Sequence, residues 1–247
     1  MTQLEEKSEN LFKKSAIIKH AAIEDKWLDE KVMNLLYHSK TLVLGSFNPN
    51  NHENNTDFYY GRCSNFFWKV IADIEGKNDQ YYCNNLQNKF EAMEKHSFCF
   101  LDLIDSIEIS TISSDSNIIE DFIRNKIYSG YSDSVLFTSS TKFKNITVSI
   151  NRTYNKLVLD VLTNGNLKKV IHTLGNSTVS KDFITKPIEK ALGDDGFQGY
   201  WNSILKSKKN VDIIRESYSP SAYAVRKLGS ENYSKMKSWF ETNLINK

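Results

Sequence analysis

Four short apolar runs constrain this chain more than any other feature: "TLVLGS" (41–46), "SFCFLDLI" (97–104), "KKVIHTLG" (168–175) and "NVDIIRE" (210–216). Each places apolar side chains at consecutive positions between polar flanks, the pattern of a strand covered on both faces. Helical stretches fill the intervals at 64–75, 84–95, 117–127, 153–164, 180–192 and 230–244, with Ser64 placed as an N-cap. Strands alternating with helices predict an α/β fold, a three-layer α/β/α sandwich around a central four-stranded, mostly parallel sheet. Residues 9–39 also read as helical, with Leu11, Ile17, Ile18, Ala21, Trp27, Leu28, Val32 and Leu35 at three- and four-residue steps, so 1–40 forms an N-terminal helical extension. Residues 131–150 alternate like an added hairpin and read as an insertion.

In such sheets the functional site lies beyond the carboxyl ends of the strands. Those ends lead here into loops at 47–63, 105–116, 176–179 and 217–229. The first is far longer than the roughly 2–6 residues of an ordinary strand-to-helix connection. It opens with Asn48 and Pro49, and an asparagine held there holds a water through its side-chain oxygen while its amide still donates. Asn-Pro is also ordinary turn chemistry. Phe58, Tyr59 and Tyr60 follow, and three successive rings in a loop cannot all be core. One of them is placed to stack on a planar ligand. The last loop, "ESYSPSAYAV" (216–225), sets Ser219 and Ser221 around a proline before a helix, where hydroxyls and backbone N–H groups suit phosphate. A plain Ser-Pro turn has the same composition.

Composition narrows the classes. A formal charge of +2 does not announce a nucleic-acid binder, although lysines and arginines cluster at 206–209, 226–227 and 235–237. Cys63, Cys83 and Cys99 show no metal-ligand spacing and no sign of a disulfide framework, and the five histidines are scattered. The first residues are polar and include acids, unlike a targeting peptide, and no apolar run approaches the ~18 residues of a membrane span. The expectation is a cytoplasmic protein with no metal and no membrane association.

Three stretches together resemble the uracil-DNA glycosylase superfamily, nearest its mismatch-specific uracil and hypoxanthine-DNA glycosylase branches. "LVLGSFNPN" is similar to the family's first motif, "FYYGRCSNFFWKVI" to the segment after it, and "SYSPSAYAV" to its second motif. The resemblance spans about 41–225 and leaves 1–40 and 131–150 uncovered. It implies a single domain over 1–247 that hydrolyses the N-glycosidic bond of a base flipped out of DNA, such as uracil, hypoxanthine or a related deaminated base, without cofactor or obligate protein partner. It gives Asn48 the attacking water, with Asn65 as the rival for that role. Phe47, Tyr60 and Asp102 would contact the base, and Ser46, Pro49, Ser219, Ser221, Tyr223 and Arg226 the DNA, with Tyr223 filling the gap. Ser219 stands where the family has a His or Asn that stabilises the departing base. Asn50 replaces a glycine, and Arg62 and Cys63 replace a His-Pro. These departures keep two alternatives open: release of a bulky modified base from phage DNA as a defence, and a non-catalytic nucleic-acid-binding relative.

Overall fold

The computed structural model describes residues 11–24, 28–49, 57–128, 138–173, 211–214 and 216–245. The expected helix 180–192, the loop 176–179, Asn50 and the lysines at 206–209 lie outside these residues.

The four apolar runs form one sheet. Its strands are β2 (Thr41–Gly45), β3 (Phe98–Asp102), β7 (Lys169–His172) and β8 (Asp212–Ile213), in the order β3-β2-β7-β8 with every pairing parallel. All residues of β2 and β3 are buried, as consecutive apolar side chains demand when both faces are covered.

A second, antiparallel sheet accompanies it, so the chain is mixed α/β with two sheets rather than one. It consists of β1 (Phe12–Lys19), β4 (Ile104–Ser113), β5 (Ser140–Phe143) and β6 (Ile146–Tyr154), in the order β1-β4-β6-β5. Two expectations fail here. Residues 12–19 are a strand, not part of a helix running from 9 to 39. Ile18 is buried while Ile17 is 67% exposed, a two-residue period that suits β-branched side chains on a half-covered sheet. Residues 105–116 are not a loop either, because β4 runs through to Ser113 with Ile107 and Ile109 inward and Ser106, Glu108 and Ser110 less covered. The hairpin falls at 140–154, turning at Lys144 and Asn145, both with positive φ, as tight two-residue hairpin turns require.

The two sheets share one continuous stretch of chain. After Asp102 the backbone stays bonded to β2, with Leu103 N–H donating to Gly45 O (3.0 Å) and Ile104 N–H to Ser46 O (3.1 Å). It then enters β4, which pairs with β1 and β6.

Helices lie between and after these strands. Between β1 and β2 lie α1 (Ala21–Glu24) and α2 (Glu30–His38); α3 (Phe67–Ile74) and α4 (Leu86–His96) connect β2 to β3. Then come α5 (Ile118–Phe122), extended by a π-helical turn at Ile123–Tyr128, α6 (Lys156–Asn164) and α7 (Ala222–Asn243), which breaks at Gly229 (φ 74°). Asn65, not Ser64, prepares the start of α3, for its Oδ1 accepts the Phe67 N–H at 2.8 Å. Phe67 then packs between Phe100 of β3 (5.1 Å) and Phe240 of α7 (4.9 Å), which anchors α3 on the parallel sheet. Contrary to expectation, Cys63 and Cys83 are joined as a disulfide across 20 residues, with Cα atoms 5.3 Å apart. Spacing in sequence carries no record of that proximity.

Glu75 closes α3 and meets the end of α4. Burial pushes its carboxyl up, but hydrogen bonds from Lys95 (2.6 Å), Tyr82 and His96 (2.8 Å) outweigh burial and bring it from 4.5 to about 2. A depressed carboxyl stabilises the fold fully above its unfolded value and less as pH falls through its folded value. The difference in thermal midpoint between the parent and Glu75→Gln should therefore be largest above 4.5 and shrink toward about 2. A constant difference across that window would contradict this account.

Candidate functional site

Parallel pairing brings three strand ends to one level. Gly45 of β2 lies opposite Asp102 of β3, and Leu44 opposite His172, so Thr173 leaves β7 beside them. These ends floor a cavity of about 250 Å³. Its walls come from Ser46–Pro49, from Tyr59–Arg62 with Asn65, from Ser219–Ser221, and from Ile127 and Tyr128 at the end of the π-helical turn.

Of the residues singled out in the sequence, Ser46, Phe47, Asn48, Pro49, Tyr60, Asn65, Asp102, Ser219 and Ser221 all line this one cleft. Tyr223 and Arg226 do not. They stand exposed on the first turns of α7, with Tyr223 71% exposed.

The walls are tied to one another. Phe66 N–H donates to Pro220 O at 2.8 Å, joining the segment around Asn65 to the C-terminal turn. That turn is shaped by its own hydroxyls: Ser221 Oγ caps α7 by accepting the Ala224 N–H (3.2 Å), and Ser219 Oγ lies 3.2 Å from Ser221 Oγ. On the other side Ala21 N–H donates to Asn48 O (2.8 Å), and His20 and Pro49 form an isolated antiparallel bridge.

The aromatic triplet divides. Phe58 and Tyr59 are core; Tyr59 stacks on Phe100 (5.5 Å, 13°) and its carbonyl accepts the Trp68 indole N–H (2.8 Å). Burial, and then the charge of Asp102, push the Tyr59 phenol well above the ordinary tyrosine value, so it remains protonated. Tyr60 alone stays half-buried. Its φ of 54° is unusual for an aromatic residue, and its ring stacks on Phe67 (4.8 Å, 15°) while its hydroxyl lies 2.6 Å from Thr173 Oγ1.

The two asparagines differ in what they offer. Asn65 Oδ1 already accepts the Phe67 N–H, so the cleft receives chiefly its amide N–H groups. The Asn48 side chain is half-buried and makes no hydrogen bond among the described residues, which leaves both a donor and an acceptor available.

Sequence reasoning missed His20. It is buried, and its Nε2 lies 2.7 Å from Asp102 Oδ2 across a separation of 82 residues. The only signal was a histidine set between the apolar pairs Ile17–Ile18 and Ala21–Ala22. Thr173 was missed as well, being the second residue after an apolar Val170–Ile171 pair. Among the described residues no three His, Cys, Asp or Glu side chains lie close enough to hold a metal ion, and no helix is long and apolar enough to cross a membrane.

No protein-family model matches the chain, and none of the curated proteins or solved structures matches it.

The wall carrying Tyr60 depends on a buried cation. Lys89 is wholly buried on α4 and donates to Asp57 (2.6 Å), three residues before Tyr60. Burial lowers the Lys89 ammonium pKa, and Asp57 opposes that fall. Removing one partner of a buried pair leaves an uncompensated charge. Asp57→Ala should cost about 3 kcal/mol in urea unfolding, near the low end for such pairs because the carboxylate is partly exposed. A loss under about 0.5 kcal/mol, the scale of an ordinary surface change, would contradict it.

Proposed function

We propose that this cleft hydrolyses the N-glycosidic bond of a nucleotide flipped out of DNA, releasing a non-standard base such as uracil, hypoxanthine or a related deaminated base. One observation carries the reading: segments at 46–49, 60–65 and 219–221, distant in sequence and each similar to a glycosylase motif, line the same cleft. Its volume, about 250 Å³, falls just below the range of pockets for drug-sized ligands and suits something smaller. On this proposal the parallel sheet is the central layer of a uracil-DNA glycosylase-like sandwich spanning the chain, the antiparallel sheet is an addition to it, and the protein acts on DNA in the cytoplasm.

A base must leave the stack, at a cost of a few kcal/mol, before protein groups reach its sugar bond. Tyr223 stands exposed beside the Ser219–Ser221 turn and would fill the vacated space. Arg226 and Lys227 follow it on the exposed side of α7 and would meet flanking phosphates. Ser219 and Ser221 first hold the turn's shape, so their part in gripping the backbone runs through that shape. Cleavage builds positive charge on the sugar and negative charge on the base. Preorganised donors aimed at the base stabilise that separation, and the Asn65 amide would supply one.

Asn48 has the better claim to the water. An oxygen that accepts a hydrogen bond from the water is what the role requires, and Asn48 Oδ1 is available where Asn65 Oδ1 is committed to α3. Among the described residues no lysine lines the cleft to form a Schiff base, so hydrolysis without strand cleavage is the reading these residues support. A second reading, release of a bulkier modified base from phage DNA, is favoured by Ile127 and Tyr128. They line the cleft at the point where the chain enters the insertion at 131–150.

Base release from oligonucleotides carrying uracil, hypoxanthine, xanthine or a modified cytosine tests both readings. Asn48→Ala should slow release roughly 100-fold or more at unchanged DNA affinity, the scale seen when one polar catalytic group is removed. Asn65→Ala should slow release and also lower stability by about 1 kcal/mol through the lost hydrogen bond to the Phe67 N–H. Release of the bulky base alone would exclude the repair reading. DNA binding without release of any base would identify a non-catalytic module.

A further inference from the structure

His20 belongs to the N-terminal segment, which the glycosylase resemblance does not reach, yet it touches the floor of the cleft. Its protonation pattern follows from its partners. Ala22 N–H donates to His20 Nδ1 at 3.0 Å, so Nδ1 carries a lone pair and the ring proton sits on Nε2. Nε2 therefore donates to Asp102 Oδ2, 2.7 Å away, and that oxygen acts as an acceptor.

The other oxygen is placed by a missing side chain. A Cβ added to Gly45 would lie 2.0 Å from Asp102 Oδ1 and 2.9 Å from the Tyr60 hydroxyl. Oδ1 thus occupies the space above the Gly45 backbone, beside Tyr60, and all three residues line the cleft. Oδ1 takes no hydrogen bond among the described residues. A buried carboxylate with one oxygen held by a neutral histidine and the other turned to the cleft is a fixed acceptor.

We propose that His20 is a positioning residue that holds Asp102 as an ionised acceptor, and that the cleft consequently takes bases presenting an N–H at Asp102 Oδ1 and refuses bases alkylated at that nitrogen. The inference rests on the base-binding reading of the cleft and narrows it to a substrate class. A carboxylate has only lone pairs to offer, so a carbonyl facing it would be repelled and an N-methyl group would crowd it and leave it unpaired. Sites that hydrogen-bond a substrate group discriminate strongly against the analogue lacking it.

The test pairs uracil with 3-methyluracil, and hypoxanthine with 1-methylhypoxanthine, in otherwise identical oligonucleotides. Binding and base release are both measured. The parent protein should prefer the unmethylated member at least 100-fold in release, or at least 10-fold in binding. His20→Leu, which removes the donor, should shrink that preference at least 10-fold; His20→Gln, whose amide N–H reaches a similar position, should restore most of it. A merely structural role for His20 would leave the preference unchanged in both variants and would overturn the proposal. So would equal treatment of the two members by the parent protein. Absence of release with preserved preference in binding would sink the hydrolase reading and uphold this one, whereas no binding to any of the four would remove both. Separately, nitrogen-15 spectra of the histidine-labelled parent, assigned with His20→Gln, should show His20 as the Nε2–H tautomer at neutral pH. Asp102→Asn should shift that proton. An Nδ1–H tautomer or an imidazolium would overturn the proposal whatever the enzymology shows.

Discussion

The central position of β2 is the constraint on which the site depends. It is hydrogen-bonded to parallel neighbours on both sides, Thr41 facing Phe98 and Lys169 at one end and Gly45 facing Asp102 at the other. A one-residue slip in either pairing would turn every side chain of a strand to the opposite face. Runs such as "LVL" and "FCF" resist a slip poorly by pattern alone, since both faces are apolar. Register is pinned instead where the strands end: Leu103 N–H bonds Gly45 O and Thr173 N–H bonds Leu44 O, both at 3.0 Å. The level at which the chain leaves the sheet and the level of the cleft floor are therefore the same fact.

The antiparallel sheet is more than an appendage to that frame. β3 passes into β4 through a single residue, Leu103, and β4 carries β1 along its whole length, from Phe12 opposite Ser113 to Lys19 opposite Ser106. This pairing delivers His20 to the cleft, because its backbone N–H bonds Asp105 O at 2.7 Å directly after the last β1 pair. The next residue holds the Asn48 carbonyl. The N-terminal strand thus fixes the backbone of the first loop and the side chain on the floor, from one turn of chain.

How much of this was legible follows from the range of each interaction. The parallel strands could be read because covering both faces of a strand requires a continuous apolar run, a local pattern. β1 and β4 could not be read with the same ease. Strands covered on one face place apolar residues at alternate positions, and a few such positions followed by the Ala21–Glu24 helix also satisfy three- and four-residue steps. Asp102 was visible as a charge at the end of an apolar strand, while its partner His20 was 82 residues away. The Cys63–Cys83 bond and the Lys89–Asp57 pair were hidden for the same reason, since both depend on how α4 and the turn before it lie against the segment preceding α3. Asn48 and Ser221 stood out in the sequence and both line the cleft, yet the difference between them appears only in what each side chain already bonds.

Tyr60 shows what this framework costs and what it accomplishes. Its left-handed backbone is disfavoured by about 1–3 kcal/mol for a residue with a side chain, and such conformations persist only where the surroundings over-determine them. They do so here. Tyr59 is locked behind it by the Trp68 indole and the Phe100 ring, Asp57 ahead of it by buried Lys89, and its own ring by Phe67 and Thr173. Glycine would occupy the same backbone conformation without penalty. A turn alone would therefore have no use for tyrosine, so the strain is retained for the ring and hydroxyl that the turn presents. Because those contacts lie in the core, the wall of the cleft is rigid before any ligand arrives, and little conformational freedom remains to be lost on binding.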